Sequence, residues 1–315
     1  MILEDLSIKD IKAELKKKEL NRITDDLIEQ LEADGRKGVK TLAKRYRNKK
    51  LRAKQEKEKF QRMQKFEKKL FAKGYELIGG VDEAGRGPLA GPVAASVVIL
   101  PQDIFIPGLD DSKKLSESKR EELFDIIQDE AIDIGVGIVD STRIDEINIR
   151  NATFQAMQEA IISLETKVDY LLVDGEEIPG LSTEQRKLID GDARSISIAA
   201  ASIIAKVTRD RMLVEYDKEY PEYGFTQHKG YGTVEHIAAL NEHGPCDIHR
   251  YSFSKVKESA LGEDFYLFKE GLEEANSIVE LEVVASTIKD CEELLIDVEL
   301  EELRNIFLRQ KKELR

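Results

Sequence analysis

Along the first 74 residues, leucine and isoleucine recur at helical spacing, in Ile8, Ile11 and Leu15 and again in Ile23, Leu27 and Leu31. With almost no proline and few glycines between them, these positions predict two or three helices. The last stretch, from about Lys40 to Lys73, is so polar that Phe60, Met63, Phe66 and Leu70 supply nearly all of its apolar face. The pattern changes at Tyr75. Leu77 to Val81 and Val93 to Leu100 are β-branched-rich runs of strand length joined by a Gly- and Pro-rich connection. A helix follows over Ser116 to Glu130, with Ser116 as its cap. Ile132 to Val139 alternates with glycines as a third strand, Ile144 to Leu164 reads as one helix, and Tyr170 to Val173 and Lys187 to Ile189 as two short strands. A long helix runs from about Ser195 to Tyr220 and is stopped by Pro221. Strands interleaved with helices in this order predict an α/β fold, a mixed sheet flanked by helices. The tail from Glu258 has helical periodicity in Leu294, Val298, Leu303 and Phe307. The expected organisation is a basic helical N-terminal extension (1–74), a central domain (75–257) and an acidic helical C-terminal extension (258–315).

Charge sharpens this division. The 315-residue chain carries a net charge of -13, which argues against a nucleic-acid partner if taken as an average. The average misleads, because residues 36–73 hold 17 Lys and Arg against only Glu56, Glu58 and Glu67, while the segment after Val256 is dominated by acids. Such asymmetry points to nucleic acid. The basic stretch is either an arm lying on a duplex or an exposed, solvated helix. No run approaches the roughly 20 apolar residues of a membrane span, and the N-terminus lacks the succession of a signal peptide. A soluble, cytoplasmic protein with no membrane partner is expected. The two cysteines, Cys246 and Cys291, have neither metal-ligand spacing nor the density of a disulfide scaffold, so free thiols are expected.

Three strand ends deliver carboxylates. Val81 precedes Asp82 and Glu83, the run Tyr170 to Val173 ends in Asp174, and Lys187 to Ile189 leads to Asp190, Gly191 and Asp192. Acids crowded at the edge of a buried sheet repel one another and are desolvated, so they call for a cation. All-oxygen ligands select hard ions such as Mg²⁺. Two such ions about 3.5–4 Å apart suit an in-line phosphodiester displacement. Any one of these acids alone reads as solvated surface.

The surrounding sequence changes the weight of that reading. The run Gly80-Val81-Asp82-Glu83-Ala84-Gly85-Arg86-Gly87-Pro88-Leu89-Ala90-Gly91-Pro92 resembles the opening motif of the ribonuclease HII family. Further matches follow in the family's order: Asp111 to Ser116, Leu171 to Gly175, Gly191-Asp192, Ala199 to Asp210, His228 to Tyr231, His249-Arg250 and Ser252-Phe253. The resemblance covers roughly Tyr75 to Val256. It implies a fold like ribonuclease H, with Asp82, Glu83, Asp174 and Asp192 matching the four metal-binding, catalytic acids and Mg²⁺ or Mn²⁺ as cofactor. Gly85, Arg86 and Gly87 match the loop that reads the junction between RNA and DNA, and Tyr231 matches the tyrosine that packs on the sugar beyond the cleaved ribonucleotide. Lys113 and Lys229 match lysines near substrate phosphates. The implied enzyme is a monomer that cuts RNA-DNA hybrids and duplex DNA containing a ribonucleotide, with a role in ribonucleotide removal during replication and repair.

Two departures from the family pattern stand out. Asp190 occupies the place where a lysine commonly precedes the Gly-Asp pair, so two acids compete for the fourth ligand position, and Glu176-Glu177 add negative charge just past Asp174. The histidines His228, His236, His243 and His249 share no zinc-site spacing and are expected to be structural or phosphate-adjacent. The sister enzyme ribonuclease HIII usually has a different glycine loop. A non-catalytic binding protein of the same fold would not need all four acids, and a scaffold built from the terminal helices leaves the central motifs without explanation.

Overall fold

The computed structural model describes residues 6–295 and 297–315. Its first helices are α1 (Ile8–Lys17), α2 (Asp25–Ala33), α3 (Lys37–Met63) and α4 (Lys65–Phe71). Ser7 and Thr24 cap α1 and α2 by accepting from backbone N–H groups that have no partner within the helix. Ile11, Leu15, Ile28, Leu31, Val39 and Leu42 then bury a small core of their own. The expected single polar helix from Lys40 to Lys73 is instead broken at Gln64, where α3 gives way to α4. Nor is its lower half solvated on every side. Phe60 and Met63 are buried with Val98, Leu100, Leu123 and Ile203, so they belong to the core of the central domain.

That domain is built on β1 (Ile78–Ala84), β2 (Val93–Ile99), α5 (Glu117–Glu130), β3 (Asp133–Val139), α6 (Ser141–Ile147), α7 (Ile149–Ile162), β4 (Tyr170–Asp174), β5 (Glu184–Leu188) and α8 (Ile196–Glu219). The five strands lie in the order β3-β2-β1-β4-β5, with β1 antiparallel to β2 and parallel to β4. The mixed α/β sheet expected from the sequence is therefore present. Its two faces are covered separately, by α5 and α8 on one side and by α7 on the other. A sheet covered on both faces explains why β2 is buried at all seven positions and shows no polar alternation.

Three element boundaries differ from expectation; the first is β1, which runs past Val81 through Asp82 and Glu83 to Ala84. The run Ile144 to Leu164 is two helices, because Asn148 adopts φ 67° and caps α7 by accepting from Asn151 N. β5 starts at Glu184, three residues earlier than its apolar pattern suggested, since an edge strand needs little burial to be paired. Beyond α8 come the short α9 (Phe225–His228), α10 (Val234–His243) and α11 (Ser254–Ser259), then α12 (Glu263–Glu274), α13 (Ile278–Asp290) and α14 (Asp297–Glu313). The last three share a core of Phe265, Leu272, Leu281 and Leu303. Leu294, which the tail's periodicity placed on a helix face, is exposed in a 3₁₀ turn. Among the described residues no helix is long and apolar enough to cross a membrane.

Candidate active site

Parallel pairing of β1 with β4 ends at Val81 and Val173, so the next residues, Asp82 and Asp174, lie side by side where the two strands part, each still paired to its outer neighbour. Asp192 arrives from a third direction, in the 3₁₀ turn Gly191–Ala193 that leads into α8. Close packing fixes that approach. A Cβ on Gly80 would lie 2.1 Å from the backbone carbon of Ser197, so only glycine lets the start of α8 rest directly on β1. The Gly191 N–H, one residue from Asp192, donates to Asp174 Oδ1 at 2.7 Å and ties the turn to β4. Ser195 caps α8.

Electrostatics marks the cluster. Asp82 is 4% exposed. Burial first, then Glu83 and Asp174, push its carboxyl well above the usual range. Glu83 is raised too, chiefly by burial, although Arg86 Nη1 lies 3.4 Å from its Oε1 and opposes the shift. Asp192 is pushed up to about 6 by burial, with Asp111 and Asp174 adding repulsion. Lys113 faces this charge. Its ammonium is held above the ordinary value by Asp192, Asp82, Asp111 and Asp174, which outweigh its partial burial.

The position of Lys113 follows from its own segment. Asp111 accepts from Lys113 N at 2.9 Å to start a 3₁₀ turn, Ser112 Oγ and Ser202 Oγ are 2.7 Å apart and lock it to α8, and Arg120 holds the carbonyls of Ser112 and Leu115. Asp111, which sequence reasoning did not single out, thus stands beside Asp192. Its only sequence signal was membership in the DSKKLS run. Asp190 behaves differently. It sits in the left-handed region at φ 53° with its side chain exposed, whereas Asp192 is buried among the other acids.

The remaining candidates fall around the glycine loop. Gly85, Arg86 and Gly87 follow β1 directly, and the place of a Gly87 Cβ is 3.8 Å from Tyr231 Cε1. The Tyr231 ring is 44% exposed beside the loop, with Lys206 Nζ 5.8 Å from its centroid. Lys229 is not brought to the acids. Its ammonium donates to Thr226 O at 2.8 Å and approaches Glu117 at 3.8 Å. Two of the histidines form a buried relay. His236 Nδ1 donates to Tyr231 O, His249 Nε2 donates to His236 Nε2 at 3.0 Å, and His249 Nδ1 accepts from Cys246 N–H and its thiol. These tautomers follow from the backbone partners, since an amide can only donate and a carbonyl only accept.

The donor set suits a hard divalent ion: oxygen ligands only, desolvated, repelling one another, and incompletely neutralised by Lys113 and Arg86. Among the described residues no three His, Cys, Asp or Glu side chains form a ready-made cage. Mg²⁺ rarely needs one, since it keeps waters and takes one or two carboxylates with substrate phosphate oxygens. The larger grooves lie elsewhere, including one of about 440 Å³ lined by Lys59, Arg62, Lys65, Phe66 and Arg194. An open face of this kind fits a duplex better than a small molecule.

A mixed sheet that delivers carboxylates at adjacent strand ends beside a helix start defines a hydrolase of the ribonuclease H type. The fold resembles the solved ribonuclease H2 from Pyrococcus horikoshii, with a TM-score of 0.50 and 28% identity over 58% of this chain and 97% of that one. The family model for ribonuclease HII matches residues 79–256, and that for the ribonuclease HII N-terminal domain matches residues 7–71. Similar proteins include ribonuclease HII of Acetivibrio thermocellus, 51% identical over 80% of this chain and 98% of that protein. Ribonuclease HII of Clostridioides difficile is likewise 51% identical, over 80% of this chain and 99% of that protein. The chain belongs to the ribonuclease HII family. It is a ribonuclease H endonuclease, of a divalent-metal-dependent family that acts on RNA-DNA hybrids.

Proposed function

We propose that the enzyme cuts the RNA strand of hybrids and the strand 5′ to a single ribonucleotide embedded in duplex DNA, leaving 3′-hydroxyl and 5′-phosphate ends. Asp82, Glu83, Asp174 and Asp192 would hold two divalent ions, Mg²⁺ or Mn²⁺. Bound there, the ions would supply an activated water and neutralise the charge developing on the leaving O3′. The observation that carries this reading is the convergence of acids from β1, β4 and the turn before α8, with the carboxyls of Asp82, Glu83 and Asp192 raised by burial and mutual repulsion.

The chain's own residues do the rest. Lys113 balances part of the acids' charge and faces the side from which a phosphate enters. Gly85 to Gly87 presents backbone to the 2′-hydroxyl, the group that distinguishes RNA from DNA. Arg86 offers a fork to a phosphate, and the exposed Tyr231 ring is a platform for the next deoxyribose. Lys229 is kept as a phosphate contact only if its bond to Thr226 opens on binding. All these parts lie on one chain, which supports a monomer. A role in clearing misincorporated ribonucleotides and RNA primers places the enzyme with replicating DNA, in the cytoplasm. The test is incubation with a labelled duplex carrying one ribonucleotide, with and without divalent metal. Undiminished cleavage in excess chelator would overturn the metal-ion reading.

A further inference from the structure

Two arginines lie wholly inside the protein beneath the glycine loop. Arg209 and Arg250 are both 0% exposed, and among the described residues neither has a carboxylate within salt-bridge distance. Burying a guanidinium without a counter-charge is costly unless its donors are satisfied. Here they are satisfied by backbone carbonyls, all but one of them in the segment 85–92. Arg250 donates from Nε to Gly91 O, from Nη1 to Arg86 O and Pro88 O, and from Nη2 to Gly85 O and Gly91 O, all at 2.6–3.0 Å. Arg209 donates to Pro92 O, Ala90 O and, across the site, Lys229 O at 2.8–3.0 Å. Burial lowers the two to about 10 and about 9, so both stay cationic at neutral pH.

This explains features that the motif alone leaves as a pattern. Gly85 has φ +96°, and a Cβ there would meet Arg209 Nε at 2.1 Å, so the loop is glycine because its backbone lies on the guanidinium. With the carbonyls turned inward, the amides of Gly85, Arg86 and Gly87 donate to no protein acceptor among the described residues. Successive free amides above buried positive charge form an anion-attracting concavity. Through Lys229 O, Arg209 also fixes the segment that carries Tyr231, so both sides of the junction contact share one support.

We propose that Arg209 and Arg250 are positioning residues for recognition of the ribonucleotide-to-DNA junction: they hold the amides of Gly85 to Gly87 and the Tyr231 ring in one register against the nucleic acid. The inference rests on the reading of that loop and ring as the junction contact. It concerns the fork of each guanidinium, because a lysine keeps the charge and loses the multiple fixed donors.

The test compares wild type, Arg250→Lys and Arg209→Lys on a duplex with one ribonucleotide and on a uniform RNA-DNA hybrid, titrating divalent metal in each case. For each folded variant, kcat/KM should fall about 100-fold on the single ribonucleotide, the scale of a small misplacement of reacting groups. The loss on the hybrid, where many registers are available, should be clearly smaller, and the metal concentration for half-maximal rate should not move. Equal fractional losses on both duplexes, or a raised metal requirement, would overturn the positioning role. So would collapse of the fold in both variants, which assigns the pair to stability alone. If the wild type cuts neither duplex, the nuclease reading falls, and this inference with it.

Discussion

The carboxylate of Glu67, in α4, accepts from Ser195 Oγ at 2.5 Å and from Ser197 N at 3.1 Å, so a residue of the N-terminal helices caps the helix that opens four residues after Asp192. Glu67 is 1% exposed, and burial raises its carboxyl above the usual range. Glu67→Gln keeps one acceptor and should be mild. Glu67→Ala leaves buried donors unmet and should cost about 1–3 kcal/mol, read as a lower Tm. Equal Tm values for the two variants would show that the contact carries no stability. Because Phe60, Met63 and Glu67 are buried in the body, deleting residues 1–74 would damage the fold as well as remove basic charge.

Asp174→Asn retains the shape of the side chain and its bond from Gly191 N but removes ligand charge. Cleavage should fall by at least about 1000-fold, the scale of losing an electrostatic element of catalysis, with duplex affinity largely kept. Wild-type turnover would show that the metal site is misplaced.

Arg45, Lys49 and Arg52 are exposed on α3 at i, i+4 and i+7 spacing, which puts them on one face. If that face lies along the phosphate backbone, replacing all three by Gln should make the slope of log affinity against log salt shallower by about 2–3. The Tm should be unchanged. An unchanged slope assigns the helix to solvent.

Tyr231→Ala should lower kcat/KM at a single embedded ribonucleotide more than within a long hybrid, by about tenfold or more, since stacking on an aromatic ring contributes about 1–3 kcal/mol. Tyr231→Phe keeps the ring and should be much milder. Equal losses on both substrates would withdraw the junction role.

His236 and His249 are buried neutral, with values lowered by burial from 6.5 to about 4 and about 3. The unfolded chain therefore takes up protons first. Their contribution to stability is complete well above pH 6.5 and declines as pH falls towards 4 for His236 and 3 for His249, by about 2 kcal/mol each, or about 4 kcal/mol for the pair, at pH 5. His236→Gln, which cannot titrate, should flatten the fall in Tm between pH 7 and 5. A slope identical to wild type would show that other groups cause it.

The sheet and the long helix were legible because buried strands and a 24-residue helix leave long apolar signatures. The break at Asn148 was not, since an asparagine in the left-handed region looks like any polar helix residue until its cap is seen. The acids at Asp82, Asp174 and Asp192 could be picked out as strand-end carboxylates. Arg209 and Arg250 could not be assigned a role, because a buried arginine bound to carbonyls leaves no spacing or charge pattern in the chain. The burial of Phe60 and Met63 was hidden by the lysines between them.

The loop at Gly85 is finished by a side chain 165 residues later, since Arg250 Nη2 takes its carbonyl. Asp82 likewise waits for Asp174 and Asp192. A ribosome making this protein therefore releases most of the chain before the cutting face can assemble, and a growing or truncated product ending before Arg250 has the acids but not the frame that aims them. Competence to cut arrives late, when nearly all of the polypeptide is present to restrain it.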